Sequence, residues 1–336
     1  MGYSSQAGQV IFKTQATPGV LDPALGTAGV GAKLRGGALG PSRELLIPDA
    51  EIGGGRDVVD AYLGAASWSG DYDFYARTDM LTTLLKCALG SAATVLVTGI
   101  NTNTITPSDA AQLPFLSIEE KIGAGLETYT YYDGVVNTLH LECDANGYLM
   151  GTVGIIAARQ TAGATPTAVP LWDNTPMFVG TNVSITYNAV ALPAKSFSLD
   201  INNNFEDDDY RLGSFYIGDL TPKRREVSAS FNIRESSSAL WRQAVYGVPA
   251  ATAPGGVTTK QQLVITMLTY ENITGGTPVT PYTITLTIPK FIFRPYVFGV
   301  SGDDIIDDDL EGQAVRPVAG TGLMTAVTKT DKATIS

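Results

Sequence analysis

Apolar and polar residues alternate along many short segments of this chain, and this alternation limits what the chain can fold into. Trp68, Tyr72 and Phe74 share one phase within residues 66–74, and residues 226–235 alternate in the same way. A period of two is the period of a β-strand with one buried face. The chain also contains 36 Gly and 18 Pro, which suits short strands joined by many turns. We therefore predict a mainly β fold.

Two segments carry helical signals instead. The first has an apolar stripe at helical spacing, formed by Met80, Leu81, Leu84, Leu85 and Leu89. Asp79 is the expected cap of this helix and Gly90 is its expected end. A second short helix is predicted over residues 236–247, with a serine cap and with Gly247 at its end.

The order of these signals repeats along the chain. In each half an alternating strand leads to a short helix, then to a flexible loop and then to further strands that end in an aromatic-rich hairpin. In the first half the loop covers about residues 98–111, and a strand over residues 43–52 ends at a turn near Gly53, Gly54 and Gly55. We predict two tandem β-sandwich domains, each with one short helix. The predicted divisions are an N-terminal arm (1–40), a first domain (41–160), a linker (161–178), a second domain (179–320) and a C-terminal tail (321–336).

The charge balance, the apolar runs and the N-terminal sequence argue against several classes of protein. The 336 residues include 22 Lys and Arg against 33 Asp and Glu, for a net charge of −11. A protein that grips nucleic acid needs cationic groups to displace phosphate counterions, so the charge balance argues against this class, although it does not argue against a surface that nucleic acid slides past. No apolar run reaches the roughly 18 residues of a membrane span, and the N-terminus does not resemble a signal peptide. Synthesis in the cytoplasm is the expectation.

No constellation of catalytic residues stands out. His140 is the single histidine, and Cys143 lies three positions further on, which places it on the opposite face of a predicted strand. The acidic clusters do not match the spacing of an EF-hand loop. We interpret them as solvated loops, with a cation site or catalytic carboxylates as the open alternatives. We predict no enzyme activity, no cofactor and no metal. The clusters are Asp207 to Asp209, Asp303 with Asp304, and Asp307 to Asp309.

Two regions are candidates for contacts between copies of the chain. Residues 1–40 are rich in Gly, Ala and Pro, and Val10, Ile11 and Phe12 form their one apolar strand. This region is either a flexible terminus or an arm that orders against a neighbouring subunit. Under the second alternative, deletion of residues 1–40 leaves a folded protein that assembles poorly. The basic run Lys223, Arg224 and Arg225 can pair with acidic loops of a neighbouring copy, for which the candidates are Asp207, Asp208 and Asp209.

Three stretches carry a resemblance to a known family. The first joins residues 52–56 to residues 64–70 and to the helix that ends at Gly90. The second joins residues 116–120 to residues 132–139 and to an Asn-Gly hairpin, and the third joins residues 197–204 to Gly213 and the strand over 227–233. Through their order and spacing, the sequence resembles the major tail tube proteins of long, non-contractile-tailed (siphovirus-type) bacteriophages, in the two-domain form.

The resemblance implies a fold and an assembly. Each half is expected to be a β-sandwich flanked by a short helix, with inner sheets closing into a barrel across subunits. Such rings stack into a tube around a negatively charged channel through which phage DNA reaches the host. Single-domain relatives build six-subunit rings, so three two-domain chains would form a pseudo-hexameric ring, with a hexameric ring as the alternative. The candidate acidic residues of the channel are Glu119, Glu127, Glu142 and Asp200.

The resemblance also implies partners and a location. The expected partners are further copies of the chain, the tape measure protein, the tail terminator and baseplate or tip proteins. Double-stranded viral DNA is expected to pass without specific binding, and no membrane insertion is expected. The location is the virion tail, after synthesis in the host cytoplasm. The alternatives are another β-structural virion protein (a tail terminator, a minor tail protein or a capsid decoration protein) and a carbohydrate- or host-binding β-sandwich.

Overall fold

The computed structural model describes residues 4–49, 51–52, 57–58, 60–234, 237–297, 307–317 and 322–332. Strands account for 52% of the residues and helices for 9%, so the predicted mainly β class is confirmed. The expected turn at Gly53 to Gly55 and the acidic pair Asp303 and Asp304 lie outside the described residues.

The first half contains ten strands and two helices among the residues described. In chain order they are β1 (Gln9–Thr14), α1 (Leu25–Ala28), β2 (Val30–Ala32), β3 (Leu34–Gly37), β4 (Gly40–Leu46), β5 (Tyr62–Tyr75), α2 (Thr78–Leu89), β6 (Gly90–Val97), β7 (Ile100–Pro107), β8 (Leu116–Ile122), β9 (Glu127–Asp144) and β10 (Met150–Ala162). Two short 3-10 turns, Ser5–Ala7 and Gly180–Asn182, precede β1 and the first strand of the second half.

The second half contains eight strands and one helix among the residues described. They are β11 (Val183–Tyr187), β12 (Val190–Ala191), β13 (Ala194–Asn202), β14 (Glu226–Arg234), α3 (Ala239–Tyr246), β15 (Gln261–Asn272), β16 (Pro281–Phe293), β17 (Asp307–Ala314) and β18 (Thr325–Thr330).

Strand pairing follows the same order in the two halves. In the first half the order is β5, β10, β9, β8 and β1, and in the second half it is β14, β17, β16, β15 and β11. The helices α2 and α3 directly follow the corresponding strands β5 and β14. Both helices end at a glycine with a left-handed backbone, Gly90 at φ 112° and Gly247 at φ 91°, where a side chain would be strained. The repeat seen in the sequence is therefore a repeat of topology.

The two halves share one sheet and one core. The end of β9 pairs with β13, and β18 lies between β7 and β16, so hydrogen bonds cross between the halves at two places. A single cluster of buried side chains includes residues from α2, β5, β14 and β16. The predicted division into domains stays a prediction, because a continuous core does not mark a boundary.

The expected N-terminal arm is instead part of this core. β1 pairs with β2 on one side and with β8 on the other. The side chains of Ile11 and Phe12 are 1% and 0% exposed, and Val10 packs against the same cluster. The prediction that these residues contact a neighbouring subunit is wrong for Ile11 and Phe12, because their own chain buries them.

Three other expectations differ from the structure. The expected loop over 98–111 contains β7, which forms a hairpin with β6. The expected linker over 161–178 contains the buried residues Asp173 and Thr175, and the expected tail contains β18. These segments are rich in Thr, Asn and Ala, and their buried apolar residues, such as Ile105 and Phe178, do not recur with the period of two that marks a strand in a sequence.

The predicted helix caps are correct in position for α3 and wrong for α2. Ser238 occupies the N-cap position of α3, but it makes no side-chain capping bond. The N-cap of α2 is Arg77, and Asp79 lies in the first turn. The Oδ2 atom of Asp173 accepts a hydrogen bond from the Met80 N–H at 2.8 Å. A carboxylate nearly a hundred positions away thus takes the role expected of Asp79.

Candidate functional site: an acidic sheet face

One continuous run of strands crosses both halves in the order β4, β5, β10, β9, β13, β14, β17 and β16. Alternate residues of these strands point into the core, as Tyr72, Leu141, Leu199 and Phe231 do. The residues between them therefore share the opposite face of the sheet.

That opposite face carries many carboxylates. We call the following six exposed residues and the surface between them the acidic face: Asp71, Asp73, Glu142, Asp200, Asp309 and Glu311. They come from β5, β9, β13 and β17, so both halves contribute.

Hydrogen bonds cross this face from strand to strand. The pairs are Thr152 Oγ1 to Asp73 Oδ1 at 2.6 Å, His140 Nδ1 with Asp200 Oδ1 at 2.6 Å, Ser198 with Ser230 between hydroxyls at 2.8 Å, and Asn232 Nδ2 to Asp309 Oδ1 at 2.8 Å. Cross-strand polar pairs of this kind stabilise a sheet modestly and hold its side chains in register. The face is therefore an ordered polar surface.

Cations occupy mainly one end of the face. Lys195 and Arg234 both pair with Asp307, and the Arg294 guanidinium lies 3.4 Å from the Glu311 carboxylate. Asp71, Asp73 and Glu142 lie on β5 and β9, toward the other end. Carboxylates outnumber cations across the surface, so its potential is negative.

His140 is the one histidine of the chain and lies at the centre of the face, between two carboxylates. The hydrogen bond to Asp200 raises the pKa of His140 above its ordinary value of 6.5, and the charges of Asp200 and Glu142 act in the same direction. Partial burial opposes this rise. Because the pKa is raised in the folded state, the stabilisation from this pair is fully present below pH 6.5 and is lost as the pH rises through the raised pKa.

Replacing Asp200 with Asn is expected to lower the pKa of His140 toward its ordinary value, because the main cause of the rise is removed. The imidazole signals of the single histidine can be followed by NMR across a pH titration of the dilute protein. Asp71→Asn is the matched control, since Asp71 lies on β5 and makes no contact with His140 among those described. An unchanged midpoint in Asp200→Asn would show that Asp200 does not set this pKa.

The structure brings together two of the four predicted acidic residues. Glu142 and Asp200 lie on either side of His140 on the acidic face. Glu127 lies at the start of β9, away from the part that pairs with β13, and accepts a hydrogen bond from the Gly163 N–H at 2.8 Å. Glu119 is 5% exposed, and its carboxylate binds Gln9 and Thr167, so the prediction that Glu119 lines a channel is wrong.

The predicted basic contacts have partners inside the chain. Lys223 and Arg224 make long contacts of 3.8 and 3.9 Å with Glu206 and Glu226, and both remain exposed. Arg225 is largely buried, and one of its terminal nitrogens donates to the Leu89 carbonyl at 3.1 Å. Arg225, predicted to contact a neighbouring subunit, instead contacts the first half of its own chain.

The acidic loop also has a partner inside the chain. Asp209 forms an ion pair of 2.6 Å with Arg211, while Asp207 and Asp208 are exposed. A contact of this loop with a neighbouring copy stays a prediction.

The sequence analysis missed four members of the acidic face: Asp71, Asp73, Asp309 and Glu311. A signal for them was present, because each lies one position away from a core residue of an alternating strand. What could not be read from the sequence is which strands are neighbours.

The chemistry available elsewhere is limited. Among the described residues, no group of His, Cys, Asp and Glu is arranged to hold a metal ion. Burial raises the pKa of both Cys87 and Cys143 to about 11, so both thiols stay protonated near neutral pH and are poor nucleophiles. As predicted, His140 and Cys143 lie on opposite faces of β9. No helix in the described part of the chain has the length and apolarity to cross a membrane.

Comparison with known protein families decides the identity. The family model described as phage tail tube protein matches residues 5–314, which is nearly the whole chain. The chain belongs to the phage tail tube protein family. No curated protein sequence matches it.

Membership of this family agrees with the mainly β structure and confirms the predicted resemblance. The tail tube protein is a structural protein of the virion tail and assembles with further copies of itself into a tube. Membership of a structural virion family suggests that the protein is not an enzyme.

Proposed function

We propose that three copies of the tail tube protein close into a ring, that the acidic faces line the channel of this ring, and that stacked rings conduct phage DNA to the host. The observation that carries this proposal is the continuous run of strands from β4 to β16. It crosses both halves with one acidic side; it has a free edge at β4, and at its other end the last two residues of β16 pair on one side only.

The two ends of this run of strands suggest how a ring can close. Among the described strands, β3 and β4 pair with β5 only, and every residue of β4 is exposed. At the other end, the last residues of β16 pair with β17 on one side. An unpaired edge strand invites another strand, and closure into a barrel removes such edges. A rotation that brings one edge to the other repeats until the ring closes.

The repeat of topology supports three chains per ring. The two halves of one chain already meet through β9 and β13, as two neighbours in a ring would. If the contact between chains has the same geometry as the contact between halves, three chains present six similar units. A six-chain ring is the alternative and would double the number of strands around the channel.

A negative channel suits the passage of DNA. Phosphates and carboxylates repel each other, so DNA is not retained on the wall. Within this proposal the tape measure protein occupies the channel before ejection, and the tail terminator and baseplate or tip proteins contact the two ends of the tube.

Electron microscopy of the concentrated, purified chain tests the proposal. We expect hollow, striated tubes, and a helical reconstruction is expected to show three chains per ring with the acidic face inward. Single closed rings that never stack would favour a tail terminator or another accessory virion protein. An outward acidic face would contradict the channel assignment even if tubes form.

A further inference from the structure

The two corresponding helices differ greatly in burial. Ten of the twelve residues of α2 are buried, whereas Gln243 is the one buried residue among the eight of α3. Both helices follow corresponding strands and end at a left-handed glycine. The difference therefore comes from what covers each helix.

The second half of the chain covers part of α2. The Thr82 hydroxyl donates to Thr328 at 2.8 Å, and the Thr330 hydroxyl donates to Asp79 at 2.7 Å. Both threonine partners lie on β18, which packs against α2.

Two side chains of the second half bind the C-terminus of α2. The Asn203 amide donates to the Ala88 carbonyl at 3.0 Å, and Arg225 donates to the Leu89 carbonyl at 3.1 Å. Arg225 also donates through Nε to Asn203 Oδ1 at 2.9 Å. A cation at this place complements the negative end of the helix dipole and satisfies carbonyls that lack partners within the helix.

The C-terminus of α3 has the same backbone arrangement without that cover. The Leu89 carbonyl accepts from the Ser108 N–H, and correspondingly the Tyr246 carbonyl accepts from the Gly255 N–H. The last turn of α3 contains no basic residue. Among the described hydrogen bonds, no side chain donates to the Tyr246 carbonyl, so its second acceptor position is open to a partner.

The register of the strands identifies what corresponds to Asn203. The last paired residues before the helices are Tyr75 with Met150 and Arg234 with Asp307. Counting the same number of residues back along β5 from Tyr75 and along β14 from Arg234 shows that Ser69 corresponds to Ser228. Ser69 pairs with Gly40 and Ser228 pairs with Asp200. Arg43 lies three residues after Gly40, and Asn203 lies three residues after Asp200, so Arg43 corresponds to Asn203.

We propose that the Arg43 guanidinium of one copy caps the C-terminus of α3 in the next copy and donates to the Tyr246 carbonyl. This inference rests on the proposed ring, and it assigns the surfaces that meet: the β3–β4 edge of one chain against α3 and the end of β16 of its neighbour. This contact between chains corresponds to the contact that Asn203 and Arg225 make between the two halves of one chain, at the C-terminus of α2.

The position of Arg43 suits this role. It lies on the free edge of the sheet, and its side chain is exposed. Its Nε donates to the Gly64 carbonyl at 2.8 Å, which directs the guanidinium while the terminal nitrogens retain further N–H donors. Pro41 on the same edge, and Pro295 just after β16, lack donors, so the edges cannot pair along their whole length. A side-chain contact is therefore well placed to set the register between chains.

The test compares Arg43→Glu with Lys33→Glu, which makes the same change of charge at an exposed residue that contacts Asn174. Both variants are expected to remain folded by circular dichroism. Arg43→Glu is expected to raise the concentration needed for assembly by about tenfold or more, because a charged hydrogen bond at each chain junction is replaced by repulsion. Lys33→Glu is expected to assemble as the unchanged protein does.

A charge-swap variant makes the test specific. Val248 is exposed and follows Gly247 at the end of α3. Adding Val248→Lys to Arg43→Glu is expected to restore assembly, since the two charges then attract each other across the proposed contact. Assembly of Arg43→Glu at the unchanged concentration would overturn this assignment while leaving the ring intact. Failure of the unchanged protein to form rings or tubes would overturn the proposed function, and this assignment with it.

Discussion

Replacing Phe12 with Ala is expected to destabilise the protein by about 3–5 kcal/mol, the range for a large buried aromatic side chain. Phe12 is 0% exposed and packs edge-on against Tyr72, with ring centroids 5.6 Å apart. Its backbone lies in β1 between Val30 and Ile118 of the neighbouring strands. The loss follows because the surrounding strands cannot collapse fully into the space that the ring leaves.

Urea unfolding of the dilute protein measures this effect, with Phe12→Leu as the control. Leu keeps much of the apolar volume, so its cost is expected to stay below about 1.5 kcal/mol. If the first forty residues were a flexible terminus or an arm that orders only on assembly, Phe12→Ala would leave the monomer's stability unchanged. That outcome would contradict the placement of β1, and it would revive the expectation that residues 1–40 can be deleted without unfolding.

Replacing Ala326 with Asp is expected to cost about 3–5 kcal/mol, as an unpaired buried charge does. Ala326 is 0% exposed and lies in β18 between Ile105 of β7 and Leu286 of β16, which are themselves 0% and 1% exposed. A carboxylate there has no described cation within reach among these neighbours. Because β18 joins the two halves, we expect the loss of stability to affect the whole chain.

Thr325→Asp is the matched control for this prediction. Thr325 precedes Ala326 on the same strand, but its side chain is half-buried on the opposite face. Thermal unfolding followed by circular dichroism is expected to show a large drop in Tm for Ala326→Asp and a small one for Thr325→Asp. Equal, small effects would mean that residues 325–330 are not part of the core, in line with the predicted C-terminal tail over 321–336.

Several features could be predicted from the sequence because they depend on neighbours along the chain. Gly90 and Gly247 end their helices because a left-handed backbone position follows the last turn in each case. The alternation in β5 and β14 identified the core residues Tyr72 and Phe231. The alternation of side chains along a strand also placed His140 and Cys143 on opposite faces of β9.

Other features could not be predicted because they depend on distant residues. Asp173 accepts a hydrogen bond from the Met80 N–H in the first turn of α2, 93 positions away along the chain, and nothing local to α2 indicates that bond. β7 and β18 contain mostly Thr, Asn and Ala; β7 pairs with β6 and β18, and β18 pairs with β7 and β16, so distant strands place both in the sheet. Glu119 sits in an alternating strand like the exposed carboxylates, but Gln9 and Thr167 cover it.

The sequence by itself determined the mainly β class, the two helices with their glycine ends, the repeated order of elements and the acidic net charge. These properties follow from periodicity, backbone preference and composition, which act over a few residues at a time. Only the tertiary structure decided that Glu142 and Asp200 share a face, that Arg225 joins the halves, and that β1 and β18 belong to the core. Those facts depend on which strands lie side by side, and strand pairing is settled by packing across the whole chain.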